Sequence, residues 1–425
     1  MQASAVEQLQ TNNMFNIVAL TDCNRFAIDK NGQLTAVLAL HTNFSDSLDH
    51  DRYNQLFNTR KQAFELLGDE FHFSIHSLRY KKEHSEKSKI NDQVIRELTN
   101  KWNAQFKNSY QTKHYLIITT KNKTMLQKTV AKQQQVDINK LESLENKVNE
   151  LISRLHIYNL ELLVREYLIS YWSSRLNARD VKVKTDTYLF DEYITDTDIF
   201  FPNKKNYFIF NHNGEELYST FLSIKAYPSD TTNRLFHELQ KTNTEFNIYQ
   251  HYFVEDIAQS LKKIDERIRR LQNLSRFNET ALIQLDSLQE RLQNEEIKLF
   301  TQIWNIQIFA HSLEELNKKT LHIQILIERR NLLLVRESKN LESCFWSIFP
   351  TYEKYRIRKY QITSDNLAHF ITFASDDQGL DRNTWGDKPV CKFMTAYNSV
   401  YNFSFHESAD KEALGNTVVI GGSGV

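Results

Sequence analysis

Near its end the sequence reads Thr417, Val418, Val419, Ile420 and then Gly421, Gly422, Ser423, Gly424 and Val425. A short β-branched run opening onto glycines is how a phosphate-binding loop begins, in the pattern G-x-x-x-x-G-K-[ST] between a buried strand and a helix. The glycines let backbone N–H groups turn toward phosphate oxygens, the lysine reaches the outer phosphates, and the hydroxyl holds magnesium. Here Gly421 to Val425 occupy the first five positions of that pattern, and the Gly-Lys-Ser/Thr that would complete it is not among the 425 residues. Glycine is otherwise scarce, nine in the whole sequence with three of them in the last five positions, so the cluster is a local feature. The bland reading is a flexible tail or a Gly/Ser linker; the apolar run before it argues against a linker.

Other candidate chemistry is sparse. His72 and His76 lie four apart on a predicted strand, where they share a face without meeting at helical spacing. There is no H-E-x-x-H and no Cys/His cluster, so no zinc site is expected. Cys23, Cys344 and Cys391 are far apart and odd in number, which suits a reducing compartment better than a disulfide framework. Asp376 and Asp377 fall in a polar loop with no partner that would make them an acid–base pair. The stretches KKEHSEKSK and RIRKY are basic but isolated, and read as solvated surface.

The elements that must position these residues divide the chain into three. The first part, 1–130, mixes strands and helices. A hairpin is expected over 25–42 around the turn KNG. Leu56, Phe57, Ala63, Phe64 and Leu67 then mark a helix with Gly68 as its C-cap. Phe71, Phe73 and Ile75 share one face of a strand, and a helix over 90–106 and the strand HYLIITT follow. The part from 131 to 385 reads as helical with a β-rich insert. Leu141, Leu144, Val148, Leu151 and Leu155 step by 3, 4, 3, 4, and Ile257, Leu261, Ile264, Ile268 and Leu271 repeat the seam. Leu282, Leu285, Leu288 and Leu292 predict a helix antiparallel to the second seam, and 313–335 one more. Such stripes read as core. Within the insert, NHNG marks a hairpin turn. From 386 to 425 the chain reads as strands, with a hairpin in VCKFMTAYNSVYNFSF and a buried strand in NTVVI.

Bulk properties set limits. The composition is 40% apolar, 12% aromatic and 25% charged, as in a folded globular chain long enough for two or three domains. Lys+Arg and Asp+Glu both number 53, which argues against a chain-wide footprint on nucleic acid or anionic lipid. The N-terminus lacks a secretory pattern. The most apolar stretch, LHIQILIERRNLLLV, is broken by ERR and falls short of the roughly 18 apolar residues that cross a bilayer.

The segment from about 320 onward resembles the CagE/TrbE/VirB family of conjugation and type IV secretion ATPases. Glu342, Phe345, Trp346, Phe349 and Pro350 stand where the family has its acidic-aromatic-proline segment. Ser364, Asn366 and Phe370, with Leu367 and Ala368, resemble its Ser-x-Asn-x-x-x-Phe run, and 383–386 its Trp-Gly turn. TAYNSVYNFSFH, ending at His406, resembles its hairpin, and the last eleven residues, GNTVVIGGSGV, the strand entering its phosphate loop.

The resemblance implies an α+β or α/β fold: a mixed N-terminal region, a long helical middle and the first strands of a RecA-like P-loop ATPase domain. It implies a parent protein that uses ATP and Mg2+, works as an oligomer, and docks on inner-membrane components of the channel from the cytoplasmic face. The incomplete Gly421–Val425 loop implies that these 425 residues neither bind nucleotide tightly nor hydrolyse it, and act through protein contacts. The other reading is a free-standing helical adaptor with an incidental glycine tail.

Overall fold

The computed structural model describes residues 15–42, 50–82, 92–121, 138–184, 194–228, 231–232, 234–273, 279–350, 352–384 and 386–405. Its first unit runs β1 (Ile17–Leu20), β2 (Ala27–Asp29), β3 (Leu34–Leu40), α1 (His50–Glu65), β4 (Phe71–Lys82), α2 (Gln93–Ala104), β5 (Ser109–Thr120), α3 (Ile138–Arg154), β6 (Leu160–Leu162) and α4 (Glu166–Asn177). The next stretch repeats that order: β7 (Asp198–Phe200), β8 (Phe208–His212), β9 (Glu215–Ala226), α5 (Arg234–Gln240), β10 (Phe246–Val254), the helix pair α6 (Ile257–Gln272) and α7 (Glu279–Gln293), β11 (Leu299–Ala310), α8 (Leu313–Glu328), β12 (Leu333–Arg336) and α9 (Leu341–Trp346). Then come β13 (Tyr360–Thr363), α10 (Ser364–Phe370), and the hairpin β14 (Cys391–Met394) and β15 (Val400–Phe403).

The pairing repeats as well. One 13-stranded sheet has the order β1-β2-β3-β5-β4-β10-β11-β9-β8-β7, with β6 on β3, β12 on β9 and β13 on β11. Read outward from the central β4–β10 pair, each half is the same sequence of strands. Those two strands are antiparallel, with Phe73 opposite Tyr252 and His76 opposite Tyr249. Equivalent helices cover the same face in each half. Leu56 and Phe64 of α1 and Leu144, Val148 and Leu151 of α3 lie on one side of the sheet, and so do Leu239 of α5 and Leu316, Ile323 and Ile327 of α8. Leu168 and Trp172 of α4 and Phe345 and Trp346 of α9 share the other side. Antiparallel central strands with matching faces are the mark of a pseudo-twofold axis normal to the sheet.

Local sequence explains the turns. The β2–β3 hairpin closes on Gly32 at φ +71°, with Asp29 Oδ1 accepting the N–H groups of Asn31 and Gln33 at 2.9 and 2.6 Å. Asn213 and Gly214 at φ +51° and +88° make the two-residue turn between His212 and Glu215, the left-handed pair that a tight hairpin requires. The seam of α3 is core: Leu144, Val148, Leu151 and Leu155 are fully buried. Gly68 is different: it lies beyond the end of α1 and is not among the residues of positive φ, so it is no left-handed C-cap.

The long helical middle needs correction. Positions 131–385 contribute β6 to β13 to the sheet; β10 is one of its two central strands and β11 lies beside it. Both are buried on the two faces, so apolar and polar residues do not alternate along them. Their polar side chains satisfy one another instead. Tyr252 Oη donates to Gln250 at 2.6 Å, Gln302 Nε2 to Tyr252 Oη at 2.8 Å, and Ser223 Oγ to Asn305 Oδ1 at 2.8 Å. The stretch 313–335 is also two elements: α8 stops at Glu328, and Leu333–Arg336 pairs with β9. From 386 to 405 the described residues form a two-stranded antiparallel hairpin, with Cys391 opposite Phe403. The RecA-like parallel sheet is not among the described residues.

Candidate functional site

Gly421, Gly422, Ser423, Gly424 and Val425 lie outside the described residues, as does the run 417–420. What is described is the hairpin leading toward them and how it is fastened. Thr395 Oγ1 donates to Asp376 Oδ2 at 3.0 Å and the Ser399 hydroxyl donates to the same carboxylate. Asp377 accepts the Gly379 N–H at 2.9 Å, so the two adjacent carboxylates brace separate turns. Gly379 sits at φ +62° against β15, where an added Cβ would lie 2.0 Å from the Asn402 carbonyl oxygen. Buried Arg79 of β4 donates to the carbonyls of Tyr397 and Thr242 at 2.8 and 3.1 Å. Burial lowers its pKa to about 10, against the pull of Asp376 and Tyr110.

The histidines form a buried band across the centre of the sheet. His72 and His76 of β4 share a face as the alternation of a strand requires, and His251 of β10 joins them. The Ser74 hydroxyl meets His251 Nδ1 at 2.7 Å, and Tyr171 Oη meets His76 Nδ1 at 2.5 Å. Burial holds all three rings well below the usual histidine value; Arg356 adds to it for His72 and His251, and Arg175 and then Arg356 for His76. The doubly protonated ring of His76 or His251 would carry an N–H at Nε2, which has no hydrogen-bond partner among the described residues. On β5, His114 Nε2 donates to the Ala374 carbonyl at 2.8 Å and Nδ1 accepts from Ser77 at 2.8 Å. Burial lowers its pKa to about 4, with the Ala374 bond opposing. These are neutral, packed rings. Among the described residues no group of three His, Cys, Asp or Glu side chains is placed to hold a metal ion.

A groove of about 660 Å³ lies between the ends of β3, β5 and β6 and the 375–379 loop, lined in part by Thr42, His114, Tyr115, Glu161, Ser375 and Gly379. His41 Nε2 lies 3.0 Å from Glu161 Oε2 at its rim.

The most conspicuous surface is α2. It has no buried residue, and Val94, Ile95, Leu98 and Trp102 are exposed by 66, 50, 63 and 46%. Trp102 Nε1 donates to the Lys392 carbonyl at 3.0 Å, and its ring meets Phe393 edge-on at 6.3 Å. Exposed Phe393 and Met394 of β14 continue the apolar surface. Sequence reasoning placed a helix here but missed its meaning: Val94, Leu98 and Trp102, four apart, are the signal that marks a one-sided helix. Among the described residues no helix is long and apolar enough to cross a membrane.

Comparison with known proteins gives consistent results. A family model described as the CagE, TrbE, VirB family, component of type IV transporter system, matches residues 153–358. A second, for the N-terminal domain of the type IV secretion system ATPase VirB4/TrbE, matches residues 26–127. The matched ranges lie mostly upstream of the segments that carried the resemblance in the sequence; the Ser364–Phe370 run and the β14–β15 hairpin lie beyond them. The type IV secretion system protein virB4 of Brucella suis biovar 1 is 23% identical over 213 residues, 49% of this chain and 26% of that protein. PtlC of Bordetella pertussis is 25% identical over 218 residues, with the same shares of each chain. Protein virB4 of Agrobacterium fabrum is 21% identical over 199 residues, 47% of this chain and 25% of that protein. The chain thus covers about a quarter of the length of these relatives.

Proposed function

The chain belongs to the CagE, TrbE, VirB family of type IV transporter components, and from that premise we propose that it is the N-terminal region of a secretion ATPase whose described residues serve protein–protein docking. In this reading the parent protein uses ATP and Mg2+ to energise assembly of the secretion channel or transport through it. The phosphate loop entered at Gly421, Gly422, Ser423, Gly424 and Val425 belongs to that chemistry. The sheet-and-helix platform before it binds inner-membrane components of the channel from the cytoplasmic face and supports self-association.

One observation carries the docking role. The histidines at the centre of the platform are packed and neutral, whereas α2 holds a continuous apolar stripe open to solvent. A stripe of that kind on a folded surface marks an interaction site. The alternative of a helical adaptor fits poorly with a core that is one 13-stranded sheet.

The test is competitive. Overproduction of the 425-residue chain in a secretion-competent strain should lower export of the secreted substrate by occupying the docking sites of the intact ATPase. Unchanged export in the presence of folded, abundant chain would count against docking as its role.

A further inference from the structure

We infer that the exposed stripe of α2 is the seat of an amphipathic helix supplied by a partner protein. The inference rests on the docking reading and names its surface and the chemistry of its occupant. The argument comes from the internal repeat, because the same position in the fold occurs twice in this chain and is completed once.

Helix α2 leaves β4 and leads to β5, and α6 leaves β10 and heads for β11. The two begin alike. Asp92 accepts the Ile95 N–H at 2.9 Å and Asp256 accepts the Gln259 N–H at 2.8 Å, both caps in extended backbone. Both helices carry an apolar stripe at helical spacing.

In the second unit that stripe is covered. Leu261, Ile264 and Ile268 of α6 pack with Leu285, Leu288 and Leu292 of α7, and Gln289 Nε2 donates to Asp265 at 2.7 Å across the pair. In the first unit no such helix stands between α2 and β5. The chain passes from Ala104 through one 3-10 turn, Gln105–Asn108, directly into the strand. Val94, Ile95 and Leu98 are therefore left open where α7 would lie in the other half.

The chemistry of α2 selects the occupant. A helix flank offers no backbone edge for an added strand, but its i, i+4 side chains suit the apolar face of another helix. The charges on α2 itself are few and mixed, Arg96 and Lys101 against Glu97, whereas a helix lying in a lipid interface carries a strongly cationic polar face. The partner segment should accordingly carry apolar residues at i, i+3 or i+4, and i+7.

The experiment uses the full chain in a strain carrying the secretion system, with a photo-crosslinking phenylalanine analogue at Leu98 or, on the opposite face, at Arg96. The proposal expects position 98, and not 96, to crosslink to a secretion-system component within a segment of helical apolar period. It also expects Leu98→Asp to lower recovery of that component at least tenfold with an unchanged melting temperature. Crosslinks from 98 confined to the same chain, to a second copy or to an extended segment would overturn it. Unchanged recovery with Leu98→Asp would remove this surface while leaving the docking reading standing. Failure of the unaltered chain to recover any component would remove both.

Discussion

Mild acid should unfold this protein through its histidines. His72, His76, His114 and His251 are buried and held neutral, their pKa values lowered mainly by burial. In the unfolded chain each titrates near 6.5. Below that pH the unfolded state takes up protons that the folded state refuses, so the contribution to stability is complete above about 6.5 and is lost as pH falls toward the folded values. At pH 5.5 each ring costs about 1.4 kcal/mol relative to neutral pH, and the four together about 5–6 kcal/mol. That is comparable to the whole stability of many domains. The carboxylates whose pKa values are lowered, Asp365 and Glu255 among them, act below their ordinary values near 4 and leave this window to the histidines. Urea unfolding at pH 7.5, 6.5 and 5.5 measures the slope. Unfolding should take up nearly four protons at the lowest pH; uptake of fewer than one would show that these rings are accessible or already charged, and the buried band would be misdescribed.

Three substitutions probe other parts of the fold. Gly379→Ala drives a Cβ into the Asn402 carbonyl at a left-handed φ, so hydrogen exchange across β14 and β15 should accelerate at least tenfold; unchanged protection would refute the contact. Leu144→Ala empties a fully buried position of α3 and should cost about 3 kcal/mol in chemical denaturation; a cost below about 1 kcal/mol would mean the seam is not core. Glu337 is almost fully buried and receives Arg358 Nε, so Arg358→Ala, which leaves a buried carboxylate unpaired, should cost about 3 kcal/mol, and Glu337→Ala less, because the partly solvated guanidinium it leaves can be hydrated. Equal small losses would contradict that asymmetry.

Sequence made local structure legible where chemistry is local. The KNG and NHNG turns, the strand carrying Phe71, Phe73 and Ile75, and the α3 seam follow from left-handed turn residues and from periods of 2 and 3.6. The centre of the sheet was not legible. Gln250, His251, Gln302, Asn305 and Gln307 make β10 and β11 read as polar, and only across the assembled sheet do they find their partners. The internal repeat was hidden for a related reason: it is held in the order and pairing of strands, while the equivalent helix covers, single α2 against paired α6 and α7, differ. The stripe on α2 was visible as Val94, Leu98 and Trp102, but stripes in this chain are mostly core, and exposure is a tertiary fact.

The docking claim is tested most directly by quantitative affinity purification of the tagged chain from a secretion-competent strain, with and without residues 386–425. Inner-membrane components of the secretion channel should be enriched with the 425-residue chain and remain enriched after that deletion, because the binding surface is placed on the sheet-and-helix platform. No enrichment with the intact chain, or enrichment that disappears with 386–425 alone, would contradict the assignment of docking to the platform.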